Sequence, residues 1–162
     1  MPVLVTIGVY GFDAPTFFAA LQAAQVDLFC DIRRRRGVRG AAYAFANSKR
    51  LQDTLAGLGI RYVHRPELAP DAVVRSQQTA VDAATHVAKR VRTQLSTEFV
   101  AGYNATCLAD FDSAAFIAGL ENPHVVALFC VEREPAACHR SLLAARLHAD
   151  LGLSITHVIP PS

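Results

Sequence analysis

Apolar positions along this chain alternate between short continuous runs and longer stretches spaced by three and four. Val3–Val9, Val26–Ile32, Ile60–His64, His124–Cys130 and Ser154–Ile159 are the short runs, rich in β-branched and aromatic residues, and each predicts a buried strand. Between the first two, Phe17, Phe18, Leu21 and Ala24 recur at helical spacing, with Asp13 placed to cap and Pro15 in the first turn. Ser48 opens a helix with Leu51, Leu55 and Leu58 on one face, which stops at Gly59. From Val74 to about Ala101 the spacing is helical again, as one helix or two, and Asp112–Gly119 predicts a shorter helix. Pro135 is expected to open the last helix, which carries Leu142, Leu143, Ala145, Leu147 and Ala149 and ends at Gly152. Strands alternating with helices predict an α/β fold of three layers, a mostly parallel sheet of about five strands with helices on both faces. With no repeat, low-complexity segment or linker, residues 1–162 read as one domain.

Composition narrows the classes. A chain of 162 residues, 52% hydrophobic and 19% charged, is globular rather than disordered or fibrous. No apolar run reaches the roughly 18–20 residues that span a bilayer, so a membrane role is excluded. The N-terminus has no basic stretch before its apolar run, and the cytoplasm is the expected location. Four cysteines, Cys30, Cys107, Cys130 and Cys138, are too few for a disulfide scaffold. The net charge is only +2, but 14 of the 16 basic residues are arginine, suited to bidentate contact with phosphate or carboxylate.

In a doubly wound sheet, ligands bind beyond the carboxyl ends of the strands, which selects three segments. Gly8–Tyr10 follows the first strand. Asp31–Arg36 follows the second, with Asp31 and Arg33 on the same face of the strand, so that the acid pairs with the base or aims it at an anion. Five arginines fall within residues 33–39, interrupted by Gly37, and Tyr43 and Phe45 follow. Basic residues beside aromatics suit phosphates and stacked bases, although a solvated loop has the same composition.

The third segment, Phe129–Arg140, is the most distinctive. The strand delivers Cys130, an acidic loop carries Glu132 and Glu134, and Cys138, His139 and Arg140 fall at a helix start, where free amides favour anions and thiolates. Three readings stay open. One is thiol chemistry by Cys130 or Cys138 assisted by His139, although nine residues separate Cys130 from Arg140 and the five-residue spacing of tyrosine phosphatases is not matched. A second is metal binding, disfavoured because consecutive residues on a helix diverge by about 100°; no metal or other cofactor is assigned. The third is a structural cluster of buried thiols and polar pairs.

These motifs resemble the DUF488 family. The similar features are Thr6-Ile7-Gly8, Asp31-Ile32-Arg33, Phe45 leading to Leu51, Leu55 and Gly59-Ile60-Arg61-Tyr62, then Glu67-Leu68, and Cys130-x-Glu132 with Cys138-His139-Arg140. The resemblance implies a compact α/β fold but no reaction. It carries the family's polar signature onto Asp31, Arg33, Cys130, Glu132, Cys138, His139 and Arg140. Val9-Tyr10 stands where members commonly have His-Ser, and Leu68-Ala69-Pro70 where many have Leu-Gly-Gly, which implies a different ligand preference if those positions bind one.

The functional expectation is an enzyme acting on a phosphorylated or nucleotide-like ligand. Arg33 and Arg140, with Tyr10 and Arg36, would hold the anion. Asp31 or Glu132 would orient groups or carry protons, and Cys130 or Cys138 with His139 would supply the reactive groups. The alternative is a non-catalytic module whose loop 33–39 grips nucleic acid or another anion. Either way the site requires the loops after the second and fourth strands to meet; the oligomeric state is left open.

Overall fold

Five strands form one all-parallel sheet in the order β3-β2-β4-β1-β5, seen in a computed structural model that describes residues 1–162. They are β1 Val3–Ile7, β2 Leu28–Asp31, β3 Arg61–His64, β4 Val125–Phe129 and β5 Ile155–Val158, each slightly shorter than the apolar run that predicts it. The helices are α1 Ala14–Ala23, α2 Ser48–Gly57, α3 Ala72–Thr85, α4 Thr97–Thr106, α5 Ser113–Ala118 and α6 His139–Leu151. Leucines and phenylalanines of α1 and α2 (Phe17, Leu21, Leu51, Leu55) pack with Phe29 and Phe129 on one face of the sheet. On the other face Val74 of α3, Phe99 and Tyr103 of α4, and Leu143 and Leu147 of α6 pack against Leu28, Cys30 and Leu128. This is the expected three-layer α/β architecture. No helix is long and apolar enough to cross a membrane.

Local chemistry explains most element boundaries. Asp13 caps α1 reciprocally with Thr16, its carboxylate accepting from the Thr16 amide at 2.9 Å. Asp71, Ser96 and Asp112 cap α3, α4 and α5 by a side-chain oxygen that accepts one amide each, from Val74, Phe99 and Ala115. The helical rhythm from Val74 to Ala101 is broken into two helices, because tertiary hydrogen bonds override it. His86 turns left-handed after α3, the Leu95 amide donates to the Ala136 carbonyl, and the Ser96 amide donates to the Gln78 side chain. The freed stretch, with a 3-10 turn at Lys89–Val91, runs toward the loop after β4.

Asp27 ties the start of β2 to the start of β4 by accepting from the amides of His124 (2.9 Å) and Val125 (2.8 Å). Burial pulls its pKa up, but these amides and the nearby His124 charge outweigh burial and hold it below the ordinary 3.8. Because the folded value is depressed, the stabilisation is complete above the unfolded value and is lost as pH falls through the folded one. Asp27→Ala should therefore cost about 1–2 kcal/mol at neutral pH and flatten the acid limb of a urea-stability profile against pH. An acid limb identical to that of the parent would rule this out.

Strand order reverses at β4. Its neighbours β2 and β1 lead to helices on one face, while β4 itself leads to α6 on the other. Register brings Asp31 and Ile7 both opposite Phe129, so Ile32, Cys130 and Gly8 leave the sheet side by side. The spatial condition for a shared site is thus met: the Ile32 amide donates to the Phe129 carbonyl and the Cys130 amide to Ile7.

Candidate functional site

Alternation along β2 sends Cys30 and Ile32 into the core beneath α3, α4 and α6, and turns Asp31 and Arg33 to the other side. Burial pushes the Cys30 thiol up to about 12, which makes it an apolar filler. Arg33 grips Asp31 with both prongs, Nε to Oδ1 at 2.9 Å and Nη2 to Oδ2 at 2.8 Å, and lies 4.6 Å over the Phe129 ring. Tyr62 donates its hydroxyl to Asp31 at 2.7 Å, and burial together with that carboxylate pushes the phenol up to about 12. The pair is wholly buried, yet Arg33 Nη1 is left without a partner.

The loop after β4 is fixed from below and from behind. The Val131 carbonyl accepts the amides of Val9 and Tyr10 at 3.0 Å each. Arg140, fully buried in α6, donates Nη1 to the Glu132 carbonyl at 2.6 Å and Nη2 to the Arg133 carbonyl at 3.2 Å. Arg140 is therefore a loop fastener, with both terminal nitrogens of its guanidinium donating to main-chain oxygens.

Helix α6 begins later than the sequence suggests, and this reverses one expectation. Pro135–Ala137 forms a 3-10 turn, and Cys138 is extended (φ −137°, ψ 144°) before the α-helix starts at His139. Cys138 and His139 are not successive helical positions, so the 100° divergence does not separate them. His139 Nδ1 lies 3.8 Å from the sulfur of Cys130 and 3.8 Å from that of Cys138. Its other nitrogen, Nε2, is 3.1 Å from the Ile32 carbonyl, and its ring lies 5.5 Å from that of Tyr103.

The charges of this cluster act on one another at short range. Burial opposes ionisation of Cys138, but hydrogen bonding from the Cys130 thiol and the His139 and Arg140 charges hold it well below the ordinary thiol value. Cys130 is raised correspondingly, by that same hydrogen bond and by burial. Burial pulls His139 down, yet the neighbouring Cys138 charge outweighs this and raises it. Burial and the Cys138 charge raise Glu132. Glu132 Oε1 lies 3.2 Å from Arg92 and 3.7 Å from Lys89, while its buried Oε2 has no partner.

Cys130, Glu132, Cys138 and His139 open onto a cleft of about 1200 Å³ at the carboxyl ends of the strands. Its lining holds eight Lys and Arg side chains against two carboxylates, Asp82 and Glu132. Arg33 and Tyr10 line it as well; Asp31, Arg36 and Arg140 do not. Asp31 is enclosed by Arg33 and Tyr62, and Arg140 is held by the loop carbonyls. The aromatics after the arginine loop are also committed elsewhere: Phe45 is in the core, and Arg90 lies 5.2 Å over both Tyr10 and Tyr43. A smaller depression of about 340 Å³ around Met1 and Pro123, at the amino ends of the strands, holds no such chemistry.

Sequence periodicity missed Arg92, which reads as a charge on the side of a long helix. It instead bridges Asp82 (2.8 Å), Glu132 (3.2 Å) and the Ala137 carbonyl (2.9 Å), joining α3 to both ends of the cysteine loop. The non-helical run between two capped helices is the only signal that could have exposed it. In the sequence Tyr62 stands out only as part of a motif, and it is the strand pairing of β2 with β3 that brings it to Asp31.

Comparison with curated proteins and with solved structures gives no match. A family profile, that of the domain of unknown function DUF488, matches residues 13–147, from the cap of α1 into α6, and so covers β2 to β4 and the whole cysteine loop. This chain belongs to the DUF488 family.

Proposed function

We propose that this protein is an enzyme acting on a phosphorylated or nucleotide-like ligand. The carrying observation is that Cys130, Cys138 and His139 form the floor of a large cleft lined mainly by arginine and lysine. The cations that remain unpaired there, Arg34, Arg35 and Arg75 among them, suit a ligand bearing several negative charges. Arg33 and Arg92 also line the cleft, and each keeps one buried guanidinium nitrogen, Nη1 and Nε respectively, without a partner. The ligand's anionic part lies against these groups, and its reacting part lies over the sulfurs and His139, with Glu132 alongside. Asp31 and Arg140 serve as positioning residues, the first holding Arg33 and the second holding the Glu132 loop.

A fluorescent nucleoside diphosphate titrated into the full chain tests the binding half. It should bind with an affinity that falls as salt rises, and Arg35→Ala or Arg75→Ala should each weaken it roughly tenfold. Among phosphorylated compounds that are turned over, Cys138→Ser should abolish turnover and leave the titration unchanged. No binding of nucleotide, inorganic phosphate or pyrophosphate at low salt defeats the proposal.

The exposure of Arg34, Arg35 and Arg39 on one wall favours a second reading, a module that binds nucleic acid without catalysis. A labelled oligonucleotide separates the two: competition by mononucleotide supports the enzyme reading, and tight, strongly salt-dependent binding without such competition supports the module.

A further inference from the structure

We propose that Cys130, Cys138 and His139 form a binding site for one thiophilic divalent ion of the zinc class, with a fourth coordination position open to the cleft. The inference stands on these three donors and does not require the enzyme reading.

The spacing is the first support. Zinc bonds of about 2.3 Å to sulfur and 2.0–2.1 Å to nitrogen put tetrahedral donors about 3.8 Å apart for sulfur pairs and about 3.5 Å for sulfur and nitrogen. Here both sulfur–nitrogen spacings are 3.8 Å, and all three donor atoms lie within 4.8 Å of one another. Rotation of the cysteine side chains by about an ångström at the sulfurs closes the set around an ion.

The second support is the orientation of the imidazole. Nε2 faces the Ile32 carbonyl at 3.1 Å, and a carbonyl can only accept, so Nε2 carries hydrogen. When the ring gives up its Nδ1 proton to a binding ion, Nδ1 presents its lone pair toward the two sulfurs. A histidine ligand whose second nitrogen donates to a main-chain carbonyl is the usual outer-shell arrangement of a metal site. The ring is also clamped by Tyr103, which reduces the entropy lost on binding.

Burial and charge supply the third. Cys130 is 5% exposed, Cys138 1% and His139 5%, so the donors are shielded, while all three still line the cleft through which an ion enters. Two thiolates neutralise a dication, and soft sulfur with imidazole selects zinc or cobalt(II) over magnesium or calcium. Glu132, whose buried Oε2 has no partner, lines the same cleft as the three donors. A water or a phosphate oxygen would complete the tetrahedron at the fourth position.

Cobalt(II) added to reduced, chelator-treated full-length protein is the test. The expected result is one cobalt per chain, with the thiolate charge-transfer and intense visible bands of a tetrahedral sulfur-bearing site, displaced by zinc. Cys138→Ser and His139→Ala should weaken cobalt binding by at least about a hundredfold, and Cys107→Ser should leave it unchanged. Should the site variants fail to fold, the unaltered protein still decides: zinc should slow alkylation of Cys130 and Cys138 and spare Cys107. An octahedral spectrum, or alkylation of Cys130 and Cys138 indifferent to zinc, overturns the proposal. The nucleotide titration, performed with chelator present, reads the cleft separately, so either idea can fail alone.

Discussion

Replacing Asp31 by alanine should destabilise the protein by about 3–5 kcal/mol, among the largest effects of any single substitution in this chain. Asp31 is fully buried, Arg33 is 3% exposed, and two prongs of the guanidinium meet two carboxylate oxygens. Removing the carboxylate leaves a positive charge between the Phe129 ring and main chain with nothing to neutralise it, and strands the Tyr62 hydroxyl. The size of the loss comes from that abandoned charge more than from the intrinsic strength of the pair. Asp31→Leu combined with Arg33→Met should therefore recover much of the stability, even though two polar groups are gone. Urea titrations of the single and double variants measure this. If Asp31→Ala loses less than about 1 kcal/mol, the pair is solvated and the account of Arg33 is wrong. If the double variant is as unstable as the single one, the residues matter for shape and not for charge.

The double variant also separates two jobs of Arg33. Its Nε and Nη2 are used by Asp31, and only Nη1 is left without a partner. A protein that regains stability without Arg33 should still bind nucleotide more weakly than the parent. Loss of fold and loss of ligand are then read from different variants.

The sheet was legible because burial on both faces leaves continuous apolar runs such as Val125–Phe129, and the helices between them because Leu51 and Leu55, or Leu143 and Leu147, repeat on one face. The face shared by Asp31 and Arg33 followed from a period of two. The breaks were harder. Nothing local stops a helix at Thr85; the reason lies in Arg92, Leu95 and Ser96, whose partners are distant in sequence. The same limit hid the cysteine cluster. Pro135 does open a helical turn, but the chain is drawn out again at Cys138, and only this extended residue lets His139 face both sulfurs. Candidate residues could thus be chosen by type and by strand end, whereas their roles depended on partners that periodicity does not encode. Arg140 is the plainest case: its residue type suits an anion, and its position commits it to two carbonyls.

Gly8→Ala should destabilise the fold by about 3 kcal/mol or more and disturb the cysteine loop in particular. Gly8 follows β1 directly, where the loop after β4 presses against it. A methyl group there would lie 1.8 Å from the Glu132 carbonyl oxygen and 3.0 Å from Arg140 Nη1. The oxygen belongs to main chain and is itself held at 2.6 Å by Arg140, so no side-chain rotation relieves the overlap. Either β1 moves, at the expense of its pairing with β4 and β5, or the Glu132 loop lifts and takes Cys130 with it. The second path is easier, since Val131 meets residues 9 and 10 through two amides while β1 is paired along its length on both sides. Amide exchange should accordingly quicken at residues 130–133 more than in β1, and cobalt affinity at the cysteines should fall with it. Gly57→Ala is the control: α2 is helical there, nothing lies within 4 Å of the added carbon, and a gain of about 0.5–1 kcal/mol is expected. A Gly8→Ala protein that melts with the parent and exchanges no faster in this loop would mean that β1 and the cysteine loop are not in the close contact on which the whole site is built.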